Sequence, residues 1–368
     1  MNIIRREAGF GLIELLIVLT LFSIVIMMST DTFSIILRQS GQESKVVGSQ
    51  VDSIVGLNIM RYDIEHAGYG LPWSFQNALA YNEADASPAN NFNDTPNPPR
   101  GIGSANGFGY NGSDYLVLKS TVAGTSDTSQ KWTYIIAGQN PKTWDSSTNT
   151  KLNLSNGDRV IVIRPRTDVN GLSQLVMDAS SSVFSTQYNS TSFPSAFSPQ
   201  KTSERFYIYG VDPSANLRMP FNRADYYVSR PATNMPISCA QNTGILYKAT
   251  LNHADGTSTQ MPIIDCVADF QVLFGVDTNS DGVIDSRTND ISSLNASQIR
   301  AQVREVRVYI LAQEGQRDPY YTSAAPVVTV GEFGLGRDFN LAGTIGTGWQ
   351  NYRWKLYTLV MKPKDLAQ

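Results

Sequence analysis

Residues 5–19 read Arg5-Arg6-Glu7-Ala8-Gly9-Phe10-Gly11-Leu12-Ile13-Glu14-Leu15-Leu16-Ile17-Val18-Leu19, a short basic leader that meets a long apolar run broken early by one glutamate. From Phe10 to Met28 only Gly11, Glu14, Thr20 and Ser23 fall outside the apolar set. Coiled as a helix, this run is long enough to cross about 30 Å of hydrocarbon once. Arg5 and Arg6 precede it, and the first charge after it is Asp31. The positive-inside bias therefore keeps the N-terminus cytoplasmic and exports everything that follows.

An ordinary secretory signal carries a small-residue cleavage site after its apolar segment, but Met27-Met28-Ser29-Thr30-Asp31 has no A-x-A pattern. A cut placed before the run, at Gly9-Phe10, fits better. Glu14 then needs a physical reason, because a carboxylate inside a membrane helix costs a few kcal/mol unless it is paired or reaches polar surroundings. Cleavage would leave a free amine at Phe10, one helical turn from Glu14; the plainer alternative is an interfacial glutamate in a simple signal anchor.

Helical spacing continues past the membrane. Val47, Val51, Ile54, Val55, Ile59 and Tyr62 recur three and four apart, with charged residues between them, and no proline occurs before Pro72. A helix over 10–66, with 10–29 in the membrane, is expected to run roughly 80 Å. Ala67-Gly68-Tyr69-Gly70-Leu71-Pro72 stops it, and Gly41, Gly48 and Gly56 are points where it could bend. The apolar face from Val47 to Tyr62 is expected to lie under a sheet.

The rest of the chain, 67–368, reads as β-rich. Short runs rich in Val, Ile, Tyr and Phe alternate with Gly, Asn, Asp and Ser clusters: 115–119, 132–137, 159–164, 175–177, 205–209, 226–229, 245–251, 270–276, 303–311 and 353–361. In Val306-Arg307-Val308-Tyr309-Ile310 the apolar residues alternate as in a half-buried antiparallel strand. Residues 84–113 and 179–203 exceed ordinary loop length and are expected to be mobile or to face a partner. These patterns give an α+β fold in which one long N-terminal helix packs on a large antiparallel β-rich domain around one core.

The 368 residues carry 29 Lys and Arg against 32 Asp and Glu, without the clustered basic residues that a nucleic-acid surface needs. Both cysteines, Cys239 and Cys266, fall in the exported part, where oxidising conditions allow a disulfide; the alternative is two unrelated buried thiols. Closing that loop would contribute about 3 kcal/mol in the chain-entropy model. Asp277-Thr278-Asn279-Ser280-Asp281-Gly282-Val283-Ile284-Asp285 follows the Ca²⁺-loop pattern. Asp277, Asn279, Asp281 and Asp285 would offer side-chain oxygens and Val283 its carbonyl. Position 12 is Thr288 instead of a bidentate Glu, so an Asp-Gly turn without metal is the competing reading. With only His66 and His253, imidazole triads and H-E-x-x-H sites find no support, and the glycines of 101–112 lack a phosphate-loop context. No catalytic residue is expected; His66 reads as a helix-end cation and His253 as part of a hairpin turn.

Gly9-Phe10 with Glu14 four residues on, in the stretch GFGLIELLIV, resembles the type IV prepilin signal; only Gly11 departs from the usual Thr or Ser. That resemblance implies cleavage between Gly9 and Phe10 by a prepilin peptidase, N-methylation of Phe10, a leader of residues 1–9, and Glu14 meeting the N-terminal amine of a neighbouring subunit during assembly. Met60-Arg61-Tyr62-Asp63-Ile64-Glu65-His66-Ala67-Gly68-Tyr69 is similar to the segment ending the long helix of PilW-like minor pilins. Tyr226-Tyr227-Val228, Gly244-Ile245-Leu246-Tyr247, Val267-Ala268-Asp269-Phe270 and Val303-Arg304-Glu305-Val306 follow in that family's order.

The resemblance implies a non-catalytic subunit in the inner membrane, with a periplasmic C-terminal domain that enters a pilus. Its partners would be other minor pilins and the major pilin, the prepilin peptidase, the inner-membrane assembly platform and a pilus-tip adhesin. Two alternatives stand beside it: a J-type minor pseudopilin of a type II secretion piston, and an anchored exported binding domain or hydrolase.

Overall fold

The computed structural model describes residues 11–144, 150–165, 173–180 and 182–366. The expected leader, Gly9 and Phe10 lie outside the described residues. One helix, α1 (Leu12–Glu65), runs unbroken through Gly41, Gly48 and Gly56. Its hydroxyls do not interrupt it, because Thr20, Ser23 and Thr30 donate to the carbonyls four residues back, at 2.8–2.9 Å. That bonding satisfies inside the helix the polar groups that hydrocarbon could not. Among the described residues α1 is the one helix long and apolar enough to cross a membrane.

Among the described residues sixteen strands follow: β1 (Ser74–Phe75), β2 (Ile102–Ala105), β3 (Tyr115–Ser120), β4 (Trp132–Ile136), β5 (Arg159–Arg164), β6 (Gln174–Leu175), β7 (Thr186–Gln187) and β8 (Arg205–Asp212). Next come β9 (Asn222–Ser229), β10 (Gly244–Leu251), β11 (Ser258–Val276), β12 (Ser286–Thr288), β13 (Val303–Glu314), β14 (Val327–Val330), β15 (Arg337–Asn340) and β16 (Arg353–Met361). Two short helices, α2 (Ala296–Gln302) and α3 (Leu341–Thr344), sit between the late strands.

They form an eight-stranded sheet in the order β16-β13-β11-β10-β9-β3-β2, with β12 beside β11, and a six-stranded sheet in the order β1-β6-β5-β8-β4, with β7 beside β5. β14 and β15 make a separate ribbon. Apart from the two-residue parallel pair β1/β6, the pairings are antiparallel.

The 19-residue strand β11 organises the larger sheet. Its first half, Ser258–Val267, pairs with β10, and its second half, Val267–Val276, pairs with β13. The change falls at Cys266, whose φ of 56° is left-handed, and register shifts flank it on both ladders. Cys266 is joined there to Cys239 in a disulfide with Cα atoms 4.9 Å apart. The cross-link fixes the point where a non-glycine residue must hold an unfavourable backbone.

The face of this sheet toward α1 buries Met60 and Ile64 against Tyr226, Leu246, Phe270, Val272, Val306 and Val308. Each such side chain contributes about 1.5–3 kcal/mol. The other face is also covered: Tyr309 and Leu311 pack against Val330, Phe339 and Leu341 of the ribbon and α3. β13 is therefore buried on both sides instead of half-buried, because the ribbon supplies a cover that the strand's own alternation does not announce. The six-stranded sheet carries further clusters on its two faces, one around Ile161, Ile163 and Phe221 and one around Val160, Ile208 and Phe206, so the β-rich region holds several packed layers instead of one core.

The two stretches expected to be loose are tied down. Phe92 and Ile102 are buried in 84–113, and Tyr188 and Phe197 in 179–203. The first is held by a buried ion network: Lys119 Nζ lies 2.6 Å from both Glu83 and Asp94, and Arg223 pairs with Glu83 at 3.1 Å and with Asp225 at 2.8 Å. A polar loop over a sheet needs such partners once its carboxylates leave water.

Candidate functional site

α1 has two unlike faces beyond the membrane segment, and they are not the ones that apolar periodicity indicates. The inward series is Ser49, Ser53, Gly56, Met60, Asp63 and Ile64, small or polar except at two positions. Ser49 Oγ accepts the Gly315 N–H at 2.9 Å, and Gln50 Nε2 donates to Glu314 at 2.9 Å. Gly56 lies so close to the Ile263 carbonyl that a Cβ there would collide with it. Small residues let the helix backbone approach β11 directly, and the larger apolar side chains are left outside. Val47, Val51, Ile54 and Val55, expected under the sheet, are 54–57% exposed.

The lower end of the helix is pinned by charge. Asp63, 2% exposed, meets Lys248 Nζ at 2.5 Å and accepts the Tyr226 hydroxyl at 2.6 Å. Burial raises the Asp63 pKa, with Lys248 opposing, and burial then Asp63 push the Tyr226 hydroxyl well above its ordinary value. Glu65 closes the end through Lys364, whose Nζ stands 2.5 Å from its carboxylate and whose N–H donates to the Glu65 carbonyl at 2.8 Å. Sequence reasoning singled out the segment holding Asp63 without its partners. The available signal was a carboxylate in phase with Ser49, Ser53, Gly56 and Met60 on one helical face.

At the other end, Gly11 is extended and begins the helix, and the Glu14 carboxylate accepts the Gly11 N–H at 3.4 Å. Glu14 thus faces the side from which the chain enters. From Leu12 to Met28 every residue is exposed, and the apolar surface continues through Phe33, Ile35, Ile36 and Leu37 toward Val47.

The loop from Asp277 to Asp285 is a knot of hydrogen bonds. Asp277 accepts the Gly282 N–H at 2.9 Å and the Asp281 N–H at 3.2 Å, and Arg304 Nε lies 3.1 Å from the same carboxylate. Asn279 and Asp281 accept loop amides at 3.0 and 2.8 Å, and Asp285 accepts the Thr278 N–H and hydroxyl at 3.0–3.2 Å. Burial opposes the charge on Asp277, but the Gly282 amide and Arg304 outweigh it and hold the carboxyl below its ordinary value. Gly282, at φ 88°, makes the sharp turn as expected. Among the described residues no three His, Cys, Asp or Glu side chains converge as metal ligands. In this arrangement the carboxylates bond loop amides, and Asp277 also meets Arg304.

The histidines hold structural positions. His66 stacks on Tyr62 with ring centroids 4.3 Å apart, and its Nδ1 is 2.9 Å from the Tyr62 carbonyl. His253 is 3% exposed; its Nε2 is 3.2 Å from Asn222 Oδ1, and its Nδ1 accepts the Arg218 N–H at 3.3 Å. Burial lowers its pKa to about 4, so it is neutral near pH 7.

Two family models match the chain. One, Type IV Pilus-assembly protein W, covers residues 225–359, and the other, the prokaryotic N-terminal methylation motif, covers residues 4–30. No curated protein and no solved structure matches the chain. The first match spans β10 to β15 with most of β9 and β16, so it falls on the ribbon and on most of the sheet that receives α1, and it includes Tyr226 and Lys248, the partners of Asp63. The six-stranded sheet lies outside both matches. Together the matches support a type IV pilin-like minor pilin.

Proposed function

We propose that this type IV pilin-like minor pilin acts in initiating pilus assembly, joining other minor pilins in a priming complex through the outward face of α1. One observation carries the reading: Val47, Val51, Ile54 and Val55 stay exposed on a helix whose opposite face is committed to its own sheet, in line with the apolar membrane segment. Exposed apolar side chains aligned on one helix face mark a contact surface, and a neighbouring helix is the natural occupant. Pilin-family domains are structural, not catalytic, and the role is one of binding. Processing between Gly9 and Phe10 by a prepilin peptidase would set a free amine one turn from Glu14, so that a neighbour's charge satisfies the carboxylate within the membrane.

Val51→Asp and Ile54→Asp test the surface. Both positions face solvent, so the melting temperature of the variants in detergent should match the wild type, with changes within about 0.5 kcal/mol. Pilus number and co-purification with partner pilins should fall sharply. Normal piliation with intact co-purification would sink the proposal. Normal piliation with a defect in protein secretion would assign the helix face to a secretion pseudopilus.

A further inference from the structure

We propose that the cleft between Trp73, the 93–100 stretch and α2 binds a carboxylate-bearing saccharide. This inference does not depend on the assembly role. The cleft has a volume of about 660 Å³ and is walled by Trp73, the stretch from Asn93 to Arg100 and the stretch from Ser292 to Arg300. Small-molecule sites fall in the range of roughly 300–1,000 Å³.

Its charge is unusual. The Arg300 guanidinium lies 5.0 Å from the centroid of the Trp73 ring, and no carboxylate among the described residues is paired with it. Burial lowers its pKa with no acidic neighbour acting in the other direction. Arg100 lines the same cleft; it commits Nε and its backbone N–H to Asp94, at 2.6 and 2.8 Å. Asp94 is in turn met by Lys119 at 2.6 Å, so the one carboxylate in the wall is matched by two cations and Arg300 is left over. A half-buried guanidinium without an acid gains from an arriving carboxylate, for which its planar fork is shaped.

The rest of the lining sets the ligand class. Asn97, Ser293 and Ser297 are exposed at the rim, with side chains that bond no other described residue. They are donors and acceptors suited to sugar hydroxyls, and Trp73 gives an apolar wall for the C–H groups of a pyranose. A bare inorganic anion would use neither, whereas a saccharide, with hydroxyls and C–H faces together, suits a lining that is about equally polar and apolar.

The test is calorimetric titration of the full-length chain, in a detergent without sugar headgroups, with glucuronate, glucose and acetate. Glucuronate should bind saturably, and glucose and acetate at least tenfold more weakly. Arg300→Gln and Trp73→Ala should each weaken glucuronate binding tenfold or more. Ser293→Trp, at an exposed rim position that leaves the fold intact, should block the cleft equally and decides the matter if either other variant fails to fold. The proposal is overturned by no glucuronate binding up to about 10 mM, by acetate or glucose binding as tightly as glucuronate, or by variants that bind as the wild type does.

Discussion

At the scale of single residues, the loop at Asp277 separates composition from geometry. Oxygen side chains at positions 1, 3, 5 and 9 with glycine at 6 satisfy a calcium pattern, and the same residue types make the tightest turns available to a chain. Here the carboxylates meet the amides of Asp281, Gly282 and Val283, and Asp277 also meets the guanidinium of Arg304, which would compete with an ion for it. Arg304 supplies the positive charge that a calcium ion would bring, from the second residue of a strand that no pattern within the loop reveals. Calcium at millimolar concentration is therefore expected to leave the wild-type melting temperature unchanged, whereas a ligand of the native state would raise it. Asp277→Ala should lower that temperature with or without calcium. A calcium-dependent rise in the wild type that Asp277→Ala abolishes would show that the loop opens to the ion.

At the scale of elements, α1 was legible in extent and misread in orientation. Its length followed from apolar periodicity, the absence of proline and the Gly-Pro stop, and strands such as Arg159–Arg164 and Arg353–Met361 emerge at their predicted bounds. The face against the sheet was hidden because it is made of Ser49, Ser53, Gly56 and Asp63, residues that score as polar or neutral yet permit the closest backbone approach. The start of β11 was hidden for a related reason: Ser258-Thr259-Gln260 is polar and exposed and Pro262 follows soon after, so only its pairing with β10 makes it a strand. The glycines of α1 give a test with opposite signs. Gly56→Val must push the helix off the Ile263 carbonyl, an overpacking cost of about 1–3 kcal/mol. Gly41→Ala meets nothing within 4 Å and should stabilise by about 0.5–1 kcal/mol through helix propensity. Thermal unfolding of both variants in detergent checks the pair. Equal effects would mean that α1 does not dock through Gly56.

At the scale of the whole molecule, the pH dependence of stability is set by ionisable groups folded between the layers, and their pKa shifts work in both directions. Asp114, raised to about 7 chiefly by burial, favours the fold below its unfolded pKa and loses that advantage as pH rises through 7. Asp94 acts oppositely: burial opposes its charge, but Lys119 and Arg100 hold its pKa down, so its contribution is lost as pH falls. His253 adds an acid-side term that a single substitution can isolate. Its pKa of about 4 in the fold lies below the ordinary 6.5, so between those values the unfolded chain binds more protons than the native one. Its contribution is complete above pH 6.5 and is lost progressively on the way down to pH 4, by about 3 kcal/mol. His253→Gln keeps a side chain that can bond Asn222 and removes the titration. The difference in melting temperature between wild type and variant should therefore shift toward the variant as pH falls from 6.5 to 4, while the terms from Asp114 and Asp94 cancel. A difference that stays constant across that window would mean that His253 is solvated enough to take up a proton in the folded state, and that the junction it shares with Asn222 and Arg218 is open.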